Sequence, residues 1–357
     1  MANESKPTVG QPTIEQVSSV PKKEVSRRGL LLAGGVTFAA ALGVGHLERN
    51  SGKHGNVFIA RNQTYDKGLV NTIRDGLASC GVDGTMFKDK RVLLKPNLVE
   101  PSREIPHMTT HPSVIIAAAE VFRTWGAHVT VGEAPGHVRD TEMALIESGV
   151  AEALTDAKLP FADLNYEEVG WTENRGKCSP LKGIYFPKTV LESDVIVSMP
   201  KMKTHHWVGM TASMKNLYGV LPGIKYGWPK NVLHHAGIPQ TVVDINASLP
   251  SLLTIVDGID CMEGDGPILG SKKHMGLILV GDNLQAVDAT MARIMELDPM
   301  KISYLRMAGD RRYGTVLGPL RDRKIQQCGE SWRSVKSRFE ILGHLDKLRA
   351  KRGPLVT

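Results

Sequence analysis

The chain holds only four cysteines in 357 residues, Cys80, Cys178, Cys261 and Cys328, and no two of them form a Cys-x-x-Cys pair. That scatter excludes a ferredoxin-type cluster or a zinc ribbon built from its own thiols. Buried free thiols are expected instead, with a disulfide open only after export to an oxidising compartment. Aromatic residues make up 5% of the chain, and its formal charge of +7 is not gathered into a basic stripe interleaved with stacking rings. Nucleic acid is therefore not expected as a partner. Neither Gly-x-Gly-x-x-Gly nor a Walker lysine is present, which argues against a nicotinamide or nucleoside-triphosphate enzyme. His-Glu-x-x-His is missing too, and no histidine spacing fixes a metal geometry, so no metal ligands are assigned.

What the chain does have begins with an address. Residues 1–25 are polar and rich in Ser, Pro, Lys and Glu, a composition expected to be disordered. Ser26-Arg27-Arg28-Gly29-Leu30-Leu31-Leu32 follows, then a glycine- and alanine-diluted apolar stretch to Gly45. Paired arginines before a short apolar stretch predict a twin-arginine type export signal. The stretch falls short of the about 20 residues that span a bilayer. The implied partner is the twin-arginine translocase and the implied destination the periplasm. A membrane tether arises only if the leader stays uncut, and Ala39-Ala40-Ala41 offers small residues for cleavage without a polar boundary before His46. The tail and signal occupy 1–45 and a linker 46–55.

From about Val57 strand and helix signals alternate, which predicts an α/β fold with a largely parallel β-sheet flanked by helices. Strands are read at 57–60, 91–95, 128–132, 194–199, 252–256 and 276–280. Leu69, Val70, Ile73 and Leu77 form a helical stripe ended by Gly81. Pro112 suits the first position of a second helix that Gly126 ends. The α/β core is placed at 56–308, with an irregular inserted subdomain or cover at 152–191. A basic carboxyl-terminal extension, 309–357, carries an amphipathic helical stretch around Ser334–Arg349.

The polar chemistry gathers where strands end, the place where open α/β sheets bind ligands. Arg91–Asn97 releases Lys95 and Asn97, and His128–Gly136 releases Glu133. Asp194–Gly219 (DVIVSMPKMKTHHWVGMTASMKNLYG) delivers Lys201, Lys203, His205 and His206 after Pro200, then Lys215 and Asn216. Leu252–Pro267 releases Asp257, Asp260, Glu263 and Asp265. If convergent, the lysines make a positive pocket for a carboxylate or phosphate, and the pKa of a lysine desolvated beside other cations falls, so that one of them could serve as a neutral base or Schiff-base amine. The plain alternative pairs them with Asp257, Glu263 and Asp265 as structural salt bridges. Neighbours in an extended segment point to opposite faces, so one of His205 and His206 is expected to face the site. His111, just ahead of Pro112, either caps its helix or faces the ligand, and His234 and His235 belong to a loop near the same end. Asp288 falls on the apolar face of Leu284–Met295, where a carboxylate needs a partner.

The phrases KPN after a strand, THP before a helix, MPKMKTH, SMKNLYG, IVDGIDCMEGDGP and VGDNLQAVDA occur in this order. In that order they resemble the domain-of-unknown-function 362 family over roughly Val57–Leu305. The resemblance implies kinship without a generally assigned reaction. Some members carry cysteine-rich iron–sulfur modules, which this chain lacks, and that argues against an electron-transfer role.

The reading that results is an exported enzyme binding a small anionic ligand, with no cofactor legible. Lys95, Lys201 and Lys203 hold the anion, with Lys203 also a candidate base. His205 or His206 moves a proton, and Asp257, Glu263 and Asp265 orient the rest. A non-catalytic periplasmic binding protein, or a redox protein whose cofactor no cysteine motif encodes, remains open.

Overall fold

The computed structural model describes residues 54–100, 102–310, 312 and 316–350. The export segment Ser26–Leu32 lies outside them. Twelve strands are described: β1 (Gly55–Ala60), β2 (Arg91–Lys95), β3 (His128–Glu133), β4 (Phe161–Asp163), β5 (Val169–Glu173), β6 (Gly183–Pro187), β7 (Val195–Ser198), β8 (Lys201–His205), β9 (Gly209–Thr211), β10 (Ser251–Glu263), β11 (Ser271–Gly281) and β12 (Ile325–Gly329). The main sheet runs β12-β1-β11-β10-β7-β2-β3-β4, with β8 pairing β10 and β9. Pairs are antiparallel at β1–β11, β10–β11 and β8–β9, and parallel elsewhere in this sheet. The fold is α/β, a largely parallel sheet flanked by helices.

The central strands read as unbroken apolar runs because both of their faces are covered. Val92, Leu94, Val195 and Val197 pack with helices Leu69–Ser79 and Pro112–Thr124 on one face. The residues between them, Leu93 and Ile196, pack on the other with helices Ile238–Ser248 and Leu284–Ile294. Burying a Leu or Val side chain contributes about 1.5–3 kcal/mol, so a one-residue slip in register would be strongly opposed. Pro112 does open its helix, and Gly81 and Gly126 take the left-handed conformations, φ 77° and 80°, that end the two helices.

Three segments depart from the sequence expectation. Lys201–His205, read as a strand exit, is itself a buried strand. Its cause is β10, which outruns β7 and needs backbone partners beyond Thr254. After Pro200 the chain pairs with it again, Lys201 opposite Asp257 and Lys203 opposite Met262. The 152–191 stretch contributes β4 to the main sheet beside β3, and only β5 and β6 form a separate hairpin. Around Ser334–Arg349 a helix Trp332–Val335 is followed by extended chain and a 3-10 segment, Gly343–Leu348. Its backbone bonds the core rather than itself, Ser337 N–H to the Ile294 carbonyl and the Leu348 carbonyl to Asp298 N–H, while Phe339 is fully buried.

The order of the central strands fixes where a ligand can sit. Chain order moves outward from β2 through β3 to β4, whereas β7 lies on the opposite side of β2. Connections leaving β2 and β7 therefore diverge, which opens a crevice at the carboxyl ends of these strands.

Candidate functional site

Lys95 is the last residue of β2 and Glu133 the last of β3, so parallel pairing sets their side chains next to each other at that edge. Lys95 Nζ donates to Glu133 Oε2 at 2.6 Å, to the Pro96 carbonyl at 2.7 Å and to Asn216 Oδ1 at 3.0 Å. Glu133 also accepts from the backbone N–H of Leu98 and Ala134. Burial works against both charges, lowering the lysine and raising the carboxyl, and their mutual attraction opposes it. The pair is neutral as a unit, and Gly219 lies so close over it that a Cβ there would collide with both side chains.

Asn216 and Lys215 arrive on the short helix Ser213–Asn216, which is bolted to the strand ends. Asn216 Nδ2 donates to the Lys95 carbonyl and to Ser198 Oγ, each at 3.1 Å. Ser198 Oγ donates to the Ser213 carbonyl, and Thr254 Oγ1 to Ser213 Oγ. Asp288 supplies the helix with its amino-terminal partner, accepting from Ser213 N–H at 2.7 Å and Met214 N–H at 3.0 Å. Burial pushes Asp288 up to about 7 against these two bonds. The carboxylate on an apolar helix face thus has its partners, and it lies behind the site rather than in it.

Over this floor lies a cavity of about 320 Å³. Of the residues singled out from sequence, it brings together Lys95, Asn97, Glu133, His205, His206, Lys215, Asn216 and His234. The lining also includes His137, Trp207, Tyr218 and Lys230. Lys215 is partly buried, its Nζ stands 4.1 Å from the Tyr218 ring centroid, and it makes no hydrogen bond or ion pair among the described residues. Burial, reinforced by Lys95, lowers it to about 8. Lys230 differs, since its Nζ donates to the Ala134 and Leu221 carbonyls, and burial lowers it to about 7.

The histidines have separate chemistries. His205 Nδ1 accepts from the Trp207 N–H at 3.1 Å, which places the ring proton on Nε2 and makes this neutral imidazole a hydrogen-bond donor. Burial first, then Lys215 and the neighbouring His206, hold its pKa well below the ordinary value. His206 is more open, with Nδ1 3.5 Å from Asp265 Oδ1. A carboxylate beside Nδ1 favours a proton there and leaves Nε2 as the acceptor. His234, its ring 5.5 Å from Trp207 and 6.2 Å from Tyr218, is lowered to about 4 by burial and by Lys215. Burial likewise lowers His137.

The remaining residues lie outside the cavity. Lys201 Nζ meets Asp257 Oδ2 at 2.6 Å, and Asp257 also accepts from the Tyr65 hydroxyl and the His111 N–H. Tyr65 stacks on the His111 ring at 3.8 Å, and His111 Nδ1 caps its helix by accepting from Ser113 N–H. This cluster has its own partners throughout. Lys203 is fully buried and donates to the Met108 and Pro267 carbonyls at 2.8 and 3.2 Å. Glu263 pairs with Lys273 at 3.0 Å and accepts from Glu340 N–H. Among the described residues no three His, Cys, Asp or Glu side chains converge as metal ligands.

His137 could have been found from sequence, four residues past Glu133 on the same strand exit. Tyr218 sits inside SMKNLYG. Lys230 carries no local signal, because only the fold brings it to the Ala134 carbonyl.

The comparisons with known proteins speak to kinship. A thylakoid-associated protein, sll1697, of Synechocystis sp. is 30% identical over 270 residues, covering 72% of this chain and 79% of its own. The lactate racemase apoprotein from Thermoanaerobacterium thermosaccharolyticum overlays 58% of this chain at a TM-score of 0.35 and 16% identity, and the chain spans about half, 51%, of that protein. The family model described as Domain of unknown function (DUF362) matches residues 92–293, more than half of the sequence and every strand that builds the cavity floor. The chain belongs to the DUF362 family.

Proposed function

We propose that this protein is an exported enzyme that binds a small carboxylate or phosphate in the cavity at the carboxyl ends of β2, β3, β8 and β9 and carries out acid–base chemistry on it. The reading rests on Lys215, an ammonium partly buried against the cavity with no anion of its own. A desolvated cation without a partner is costly, and a bound anion would remove that cost. The His205 Nε2–H would donate to the same anion. His206, with Asp265 beside Nδ1, would take or return a proton through Nε2. Lys230, held by two backbone carbonyls, would bias the field without touching the ligand, whereas Glu133 balances the charge of Lys95. The Synechocystis relative is by name thylakoid-associated, and a membrane association of this chain would come through its amino-terminal segment.

The test is separate substitution of His206 by Asn and Lys215 by Met in the full chain, with calorimetry against small carboxylates and mass spectrometry of molecules that copurify. Affinity kept and turnover of the copurifying molecule lost in His206→Asn supports an enzyme. Turnover unaffected by that change ends the role given to His206. Affinity unaffected by Lys215→Met ends the anion reading.

A further inference from the structure

Asn97 makes a demand on the ligand that is separate from charge. Its side chain lines the cavity, it is 4% exposed, and its Oδ1 has no hydrogen-bond partner. The orientation of that amide is fixed by a relay that begins at a group of one polarity. The Lys95 backbone carbonyl can only accept, so Asn216 must direct its Nδ2 at it. Asn216 Oδ1 consequently faces the other way, where it accepts from Lys95 Nζ and from Asn97 Nδ2 at 3.1 Å. Asn97 cannot flip without opposing two acceptors. Its remaining oxygen is thus held as an acceptor awaiting a donor, and a buried acceptor left unpaired is destabilising.

We propose that the ligand is a hydroxy acid in its carboxylate form, its charged group toward Lys215 and His205 and its hydroxyl donating to Asn97 Oδ1. This rests on the anion-binding reading and goes further by requiring a donor on the same molecule. A neutral hydroxyl meets the requirement better than an ammonium, because Lys215, which has no carboxylate of its own, borders the same space and would repel a second cation. Size fits as well, since a cavity of about 320 Å³ is at the small end of ligand sites.

Two ligand pairs that differ by one hydroxyl provide the test: glycolate against acetate, and mandelate against phenylacetate, titrated calorimetrically into the full chain. The hydroxylated member of at least one pair should bind about tenfold more tightly to the unaltered protein, as expected when a buried acceptor gains its partner. In Asn97→Leu, and in Asn97→Ala should the first not fold by circular dichroism, the preference should fall to within about twofold. Equal binding within both pairs overturns the inference and leaves the anion reading standing, with an ordered water then the partner of Oδ1. A preference that survives in a folded Asn97 variant also overturns it. If neither the four carboxylates nor inorganic phosphate bind, the anion reading itself fails.

Discussion

Replacing Lys215 by Met removes a cavity-lining ammonium that has no hydrogen-bond or ion-pair partner among the described residues, while keeping its apolar stem. A hydrogen bond to a charged group contributes about 1.5–3 kcal/mol, so phenylacetate affinity should fall by about 10- to 100-fold. The pH dependence makes the expectation sharper. Burial and Lys95 hold Lys215 at about 8, so above pH 8 the free protein loses the charge that an anion needs. Affinity for a carboxylate, which stays ionised throughout, should then drop about tenfold per pH unit. At pH 8 the free lysine is half protonated and the complexed one fully so, which requires uptake of about half a proton on binding. Calorimetry in buffers of different ionisation enthalpy measures that uptake. Stability must move in the opposite sense. Between pH 8 and 10.5 the unfolded chain holds the Lys215 proton and the folded chain has released it, so this group's contribution to stability rises with pH over that window. Lys230, at about 7, and His137 and His234 border the same cavity, so Lys215→Met is the control: it must erase the step near pH 8. Affinity flat from pH 7 to 10 with no proton uptake would refute the role given to Lys215.

The buried Lys95–Glu133 pair should respond to single and paired changes very differently. Lys95→Met leaves the Glu133 carboxyl with only two backbone donors and should cost about 3–5 kcal/mol in urea unfolding, whereas Lys95→Met with Glu133→Gln should recover most of that loss. A single substitution costing under about 1 kcal/mol would contradict the burial argument. Asp288→Asn turns one of its two acceptors into a donor facing a backbone N–H, which should cost about 1–3 kcal/mol. It should also weaken carboxylate binding although Asp288 does not line the cavity, because it holds the helix that presents Lys215; binding that is unchanged in a destabilised Asp288→Asn would remove that link.

Much of the fold is written locally. Val92, Leu93 and Leu94 are all apolar because helices cover both sides of β2, and a run of that kind announces a central parallel strand without any partner being known. Pro112 and Gly126 bracket their helix through steric rules that need no tertiary context. β8 was not legible in the same way. Lys201, Lys203 and His205 are polar yet buried, since each ammonium finds its oxygen far along the chain: Asp257 for Lys201, Met108 and Pro267 for Lys203. Charge in a sequence suggests exposure, and only the fold reveals those compensating partners. The same reason separates the candidate residues into a cavity group and a Tyr65–His111–Lys201–Asp257 group, which sequence spacing could not divide.

That division bears on which lysine matters. Lys95 and Lys201 each have a carboxylate at 2.6 Å, and Lys203 and Lys230 each donate to two backbone carbonyls. A protein under selection for stability alone would have little reason to keep four such groups where apolar residues of similar volume do as well or better. Glu133 and Asp257 offset the charges of Lys95 and Lys201, so a positive potential at this edge comes from Lys203 and Lys230, whose hydrogen bonds to backbone carbonyls keep them from swinging away. A potential built this way needs no reorganisation when an anion enters, which is the condition under which electrostatics contributes most to binding and to transition states. Lys215 stands there against the Tyr218 ring, without a hydrogen-bond or ion-pair partner among the described residues, lowered to about 8 and therefore able to hold or release a proton near that pH. Burial, with Lys95 as the second cause, makes the neutral form of Lys215 accessible, and an anion restores its charge. Binding and proton uptake are thereby one event at this residue.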